Sequence, residues 1–169
     1  RAVEIRRWLA WLSEPEPALS TRSSAVPRRI GGPRCSVRGR VFGGNLALVH
    51  YAAGTRFLPA FRGAILFLEE VNEPPYKIDG MLAHLALSGT LRGVRGVVLG
   101  NFVKCVARRG HSELSLETVL RDHLVAAGAP VVAGLRAGHG KRNLPLPFGA
   151  RAILDARHGR LVFEEGLVC

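Results

Sequence analysis

The run AILFLEEV, residues 64 to 71, carries five consecutive apolar residues and then stops on two glutamates. A strand that is apolar at successive positions buries both of its faces, the habit of a parallel strand inside an α/β domain. That demand excludes a lone antiparallel sheet with one wet face. The pattern returns in VRGVVLGNFV (94–103) and PVVAGLRAG (130–138). Between these runs the period lengthens to that of a helix. NLALVHYAAG (45–54) starts on a capping asparagine and stops at glycine. In YKIDGMLAHLALSG (76–89), Ile78, Met81, Leu82 and Leu85 form one stripe despite Gly80. SLETVLRDHLVAAG (115–128) places Ser115 as cap and Glu117 in the first turn.

An alternating stretch, SVRGRVFGG (36–44), precedes the first of these helices, and ARAILDARHGRLVFEE (150–165) reads as two alternating arms around the turn DARHGR. The order β-α-β-α-β-α-β-β-β predicts an α/β domain with a mostly parallel central sheet and a C-terminal β-hairpin. Residues 1–35 read differently. AVEIRRWLAWLSE has helical spacing, and the Pro-, Ser- and Arg-rich stretch after it has almost no apolar period. The expected division is therefore an N-terminal helix and linker over 1–35 and a compact domain over 36–169.

Composition narrows the partners. The 169 residues are 47% hydrophobic and carry a formal charge of +11, nearly all from arginine. Residues 1–40 hold nine arginines against three glutamates, and the remaining charge is scattered singly. Aromatic residues make up 7% and nowhere interleave with arginine as a base-stacking platform requires, so no nucleic acid is expected. No apolar run reaches the roughly 18 residues that span a bilayer, so no membrane is expected either. Cys35, Cys105 and Cys169 lack paired spacing, which favours a reducing, cytoplasmic setting. The histidines form no metal motif, and none of His84, His111, His123 and His158 has a ligand pattern around it. The arginine at position 1 and the lack of a signal-like stretch suggest a processed chain or a piece of a longer one.

Chemistry concentrates at strand ends, because parallel strands deliver their carboxyl ends to one edge of the sheet. Glu69 ends one apolar strand. His139 follows another, inside GLRAGHGKRNLPLPFGA (134–150), where glycines open the approach and prolines stiffen the exit. The two can be neighbours, and a carboxylate-oriented imidazole is two-thirds of an acyl-transfer triad. The competing reading is a strand-end glutamate in a surface ion pair. Glu70 should face away from His139, and Glu70, Glu73 and Asp79 read as solvated, capping or turn residues. No nucleophile stands out. Ser112 lacks the glycine of a nucleophile elbow, Ser88 sits at a helix end, and Cys105 reads as an inert buried thiol.

The segments GRVFGGNLALV, GAILFLEEVNEPPYKIDGML, GVRGVVLGNF and GHGKRNLPLPFGARAILD, in this order and spacing, resemble the C-terminal half of the LD-carboxypeptidases. These are serine peptidases of the murein-tetrapeptide and microcin-immunity type. The resemblance covers about residues 38–167 and implies a swivelling β/β/α domain. It places the family's catalytic glutamate on Glu69 and its histidine on His139, and requires no metal or organic cofactor. The family's serine lies in a Gly-Tyr-Ser-Asp motif of the N-terminal domain, and no such motif occurs here. The implied partners are a murein peptide, whose terminal D-alanine would be removed in cell-wall recycling, and an N-terminal domain carrying that serine. A homodimer is compatible with this reading. The resemblance further implies that the chain by itself is inactive, and that an apolar patch of Pro74, Pro75, Tyr76, Leu144 and Leu146 faces the missing half. The alternatives are a non-catalytic binding module that keeps the fold, and a microcin-immunity-type peptidase.

Overall fold

The computed structural model describes residues 20–21, 28–107, 114–141 and 143–164. The expected helix at residues 2–14 lies outside them, as do His111, Ser112 and Cys169. Eight strands among the described residues form one sheet in the order β1-β8-β7-β3-β4-β5-β6-β2. They are β1 (Ser20–Thr21), β2 (Arg28–Gly31), β3 (Ser36–Asn45), β4 (Ile65–Val71), β5 (Gly96–Val103), β6 (Val131–Ala133), β7 (Arg151–Asp155) and β8 (Arg160–Phe163). Helices α1 (Leu46–Ala52), α2 (Pro75–Leu87) and α3 (Leu116–Ala126) make the three crossovers between β3, β4, β5 and β6.

The expectation of a mostly parallel sheet needs correcting. Pairings β3–β4, β4–β5 and β5–β6 are parallel, but β1–β8, β2–β6, β3–β7 and β7–β8 are antiparallel. The sheet is mixed because β3 serves two partners in succession. Its first half, Ser36–Arg40, runs antiparallel to β7, and its second half, Val41–Asn45, runs parallel to β4. The stretch read as linker also contributes β1 and β2 to the two edges of the sheet.

This arrangement accounts for the two-faced burial of β4. Leu66 and Leu68 point into a core filled by all three helices, with Leu46, Val49, Ile78, Leu82, Leu85, Leu120 and Leu124. Ile65 and Phe67 point the other way, into a core closed by Ala152, Leu154, Leu161 and Phe163 of β7 and β8. Helices therefore cover one face of the parallel strands, and the curled antiparallel end of the sheet covers the other. A fully buried leucine contributes about 1.5–3 kcal/mol relative to exposure, so each layer needs the other to exclude water. The helix ends follow the chemistry of their residues. Asn45 Oδ1 accepts from Leu48 N at α1, and Ser115 Oγ accepts from Thr118 N at α3.

Candidate active site

All four parallel strands end at one edge, which brings residues distant in sequence together. Asn45 at the end of β3 lies in register with Glu69 at the end of β4. The β4–β5 ladder slips between Leu68 and Glu70, so that Leu68 faces Leu99 while Glu70 faces Phe102. Gly100 and Asn101 thus bulge opposite Glu69, and bulges re-aim side chains. Beyond β6, the chain runs through Leu135 and Ala137 to His139.

Glu69 and His139 meet at this edge. Glu69 is buried, with 4% of its surface exposed. Its Oε2 accepts from His139 Nδ1 at 2.8 Å and from the His139 backbone N–H at 3.1 Å. One carboxylate oxygen therefore sets both the backbone and the ring of His139, and selects the tautomer protonated on Nδ1. Nε2 is left for another partner, and the His139 side chain is 55% exposed. The hydrogen bond and the charge of Glu69 raise the His139 pKa, outweighing a small opposing effect of burial.

The glycines flanking His139 are required by contact. Gly138 has φ 97°, and a Cβ there would stand 2.7 Å from Glu69 Cγ. A Cβ on Gly140 would stand 2.7 Å from Asn101 Cγ. Side chains at either position would push the loop off the strand ends. Two further bonds hold it: Gly138 N donates to Asn143 Oδ1 at 2.9 Å, and Asn101 Nδ2 donates to the Ala137 carbonyl at 2.9 Å. Asn101 escapes sequence reasoning because it looks like an ordinary strand residue. The signal that finds it is Gly100, a glycine inside a strand pattern.

Glu70 does face away from His139, but it is buried at 2% exposure rather than solvated. It accepts from Asn45 Nδ2 at 3.0 Å, Ala47 N at 2.9 Å and Val71 N at 2.8 Å, so it satisfies the first turn of α1. Asp79 bonds His123 Nε2 at 2.7 Å, and Glu73 pairs with Lys77 at 3.2 Å. Ser88 ends α2. Cys105 is buried, and desolvation pushes its thiol up to about 11, which fits an inert role. His84 packs its ring edge-on against His50. Among the described residues no serine hydroxyl bonds His139, no group of three or more potential ligands could hold a metal, and no helix is long and apolar enough to cross a membrane.

The expected apolar patch is mostly absent. Pro74 and Pro75 are buried, Leu144 and Leu146 are half-buried, and Tyr76 alone of the five is exposed. The two prolines and Leu146 instead pack inward. Exposed large apolar side chains occur on α1, at Leu48 and Tyr51.

Comparison with known proteins bears on this site. Residues 38–154 match the family model of the LD-carboxypeptidase C-terminal domain. A probable murein peptide carboxypeptidase of Bacillus subtilis is 37% identical over 129 residues, 76% of this chain and 40% of that protein. The crystal structure of muramoyltetrapeptide carboxypeptidase from Oxalobacter formigenes superposes with a TM-score of 0.78 at 30% identity, over 98% of this chain and 55% of that one. A structure of MccF in complex with glutamyl sulfamoyl guanosine superposes with a TM-score of 0.72 at 26% identity, over 85% of this chain and 42% of that one. The chain thus spans about half or less of the length of these relatives.

Proposed function

Since the chain belongs to the LD-carboxypeptidase family and matches its C-terminal domain, we propose that Glu69 and His139 are two members of a Ser–Glu–His triad. The observation that carries this reading is the 2.8 Å bond between a buried carboxylate and a half-exposed imidazole at the carboxyl edge of the sheet. The serine would come from an N-terminal domain, which also supplies the oxyanion hole. The proposed substrate is a murein tetrapeptide in the cytoplasm, cleaved at the amide between an L-configured centre and the terminal D-alanine.

In this mechanism His139 Nε2 takes the proton of the serine hydroxyl as it attacks the amide carbonyl. Glu69 holds Nδ1–H and stabilises the imidazolium that forms, without itself taking the proton. His139 then delivers the proton to the departing amine of D-alanine. Water enters and attacks the acyl carbon as it loses a proton to the same nitrogen, and the imidazolium returns that proton to the serine oxygen as the acyl group leaves. Glycine at 138 and 140 lets the His139 loop lie close against Glu69 and Asn101, which holds the imidazole where serine and substrate would meet it. No step needs a metal or organic cofactor.

The test is reconstitution. This chain, mixed with a separately expressed N-terminal half bearing the Gly-Tyr-Ser-Asp serine, should release D-alanine from the tetrapeptide, whereas the chain alone should not. His139→Ala should abolish that release. Two folded halves that bind each other and give no activity would favour a non-catalytic module. The likeness to MccF supports a second reading, in which the reconstituted pair cleaves an aminoacyl sulfamoyl nucleotide. Preference for that compound over the tetrapeptide would select it.

A further inference from the structure

Among the described residues one buried side-chain atom lacks a hydrogen-bond partner, and it is Nδ1 of His50. Buried polar atoms are paired as a rule, so an exception calls for an explanation. His50 lies in the last turn of α1, and its ring meets that of His84 in the last turn of α2. The ring centroids are 4.7 Å apart, and the planes are inclined at 73°. The helices lie side by side because both cross back over one face of the sheet, α1 between β3 and β4 and α2 between β4 and β5. Around the rings they contribute Leu46, Val49, Ile78, Leu82 and Leu85 to one core.

This setting tolerates a neutral His50 and penalises a charged one. A neutral imidazole can leave Nδ1 as a bare lone pair and keep its proton on Nε2. An imidazolium carries N–H at both nitrogens, and at Nδ1 that donor would lose its water and meet no acceptor. Burial therefore lowers the His50 pKa, and the neighbouring His84 lowers it further. The C-terminal end of a helix favours a cation, which opposes these two effects without reversing them. The carboxylates nearby are engaged elsewhere. On α2, Lys77 and Asp79 lie more than a turn before His84 and pair with Glu73 and His123. On β4, Glu70 bonds the first turn of α1 through Ala47 N, and Glu69 holds His139. The half of β3 that leads into α1, Val41–Asn45, has no ionisable side chain. On α1 itself Tyr51 sets its ring edge-on to His50 at 5.4 Å, and beyond α1 Arg56 lies over Phe57.

We propose that His50 and His84 form an acid-released latch between the last turns of α1 and α2. With His50 neutral, its ring stays between the helices and the turn is closed. A proton on His50 drives the ring out to water, and the last turn of α1 leaves α2 with it. The first turn stays anchored, because Glu70 still holds Ala47 N. A lowered histidine adds stability that is fully present above its ordinary 6.5 and is lost as pH falls through the lowered value. The latch uses no residue of the proposed triad, so it stands or falls apart from that reading.

Ring resonances and amide hydrogen exchange on the whole chain test this between about pH 8 and 5, the range in which imidazoles charge. His50 should titrate below 6.5. Over the same range the protection factors of the Tyr51, Ala52 and Ala53 amides should fall about tenfold or more, while those of Leu66 to Leu68 in β4 should hold. His84→Gln should move the His50 midpoint toward 6.5. His50→Leu places an apolar side chain where Nδ1 has no partner, and should keep the turn protected at both ends of the range. His158→Gln, which alters a histidine of the β7–β8 turn, should change neither reading. A His50 midpoint at or above 6.5 would overturn the proposal. So would equal protection of the α1 turn across the range, a loss of protection that persists in His50→Leu, or an unmoved His50 midpoint in His84→Gln. If His50→Leu does not fold, the parent chain and His84→Gln decide by themselves.

Discussion

Two histidines in this molecule bond a carboxylate through Nδ1 at nearly the same distance, His139 to Glu69 at 2.8 Å and His158 to Asp155 at 2.7 Å. Bond length does not distinguish them. Their settings do. Asp155 and His158 are three residues apart in the turn between β7 and β8, and Asp155 Oδ1 also accepts from the backbone of Arg157 and His158. That carboxylate shapes its own turn, and the imidazole is an accessory to it. Glu69 and His139 are 70 residues apart, brought together by parallel strands that end at one edge. The Glu69 side chain is 5% exposed and that of Asp155 23%. A buried carboxylate that orients a distant imidazole is the arrangement the proposed triad needs, and a local turn bond is not.

The largest expected difference between the two pairs is in rate. In the reconstituted enzyme, Glu69→Ala should lower kcat/KM by about 10³–10⁴-fold, the scale seen when a triad loses its orienting carboxylate. Asp155→Ala should change it by less than about twofold. D-alanine release by the two variants, each shown to be folded, measures this. Equal losses would mean that the pairs differ only in position.

Next in size is backbone strain. Gly138→Ala must fit a Cβ at φ 97° against Glu69, whereas Gly159→Ala sits at φ 60° in the turn between β7 and β8. The first should cost about 2 kcal/mol or more, and the second about 1 kcal/mol. Urea unfolding midpoints would rank them. A Gly138→Ala protein as stable as Gly159→Ala would show that the Glu69 side chain moves aside at little cost.

Much of the Glu69–His139 site is legible in the sequence because two long-range facts reduce to local ones. Apolar runs mark β4 and β6, and parallel ends gather at one edge, so the residue after each run is placed without knowing the sheet order. The rest depends on partners the sequence does not name. RRIG has no alternation of its own, and becomes β2 only because β6 offers an edge. SVRGRVFGGN reads as one strand, yet changes partner at Val41, which turns a parallel sheet into a mixed one. Glu70 looks solvated beside Glu69, but the free amides of α1 draw it into the interior. Asn101 matters only because the ladder slips at Gly100.

The third difference is in titration, and its sign follows from the Glu69 bond. Glu69 favours the protonated ring, so the pKa of His139 lies above its ordinary 6.5. The stability this bond adds through protonation is fully present below 6.5 and is lost as pH rises through the raised value. Only the neutral ring can take the serine proton, so the acidic limb of kcat/KM should rise through that same value. Glu69→Gln should move the His139 ring resonance midpoint back toward 6.5, and the residual activity limb with it. An unchanged midpoint would mean that something other than Glu69 holds the proton on the ring.

The smallest effect belongs to the other pair. The Asp155 carboxyl lies below its usual 3.8: burial tends to raise it, but the bonds from His158 and Arg157 together prevail. A lowered carboxylate adds stability above its ordinary value and loses it as pH falls through the depressed one. Asp155→Asn should therefore cost less than about 1 kcal/mol at neutral pH, as for other exposed pairs, and the cost should vanish as pH falls through that lowered value. Unfolding curves at neutral and acid pH give both numbers. The His139 titration should be the same in this variant as in the parent chain, since Asp155 touches only its own turn. A shift there would tie the β7–β8 turn to the edge where β4 ends, and the two histidines would no longer be independent.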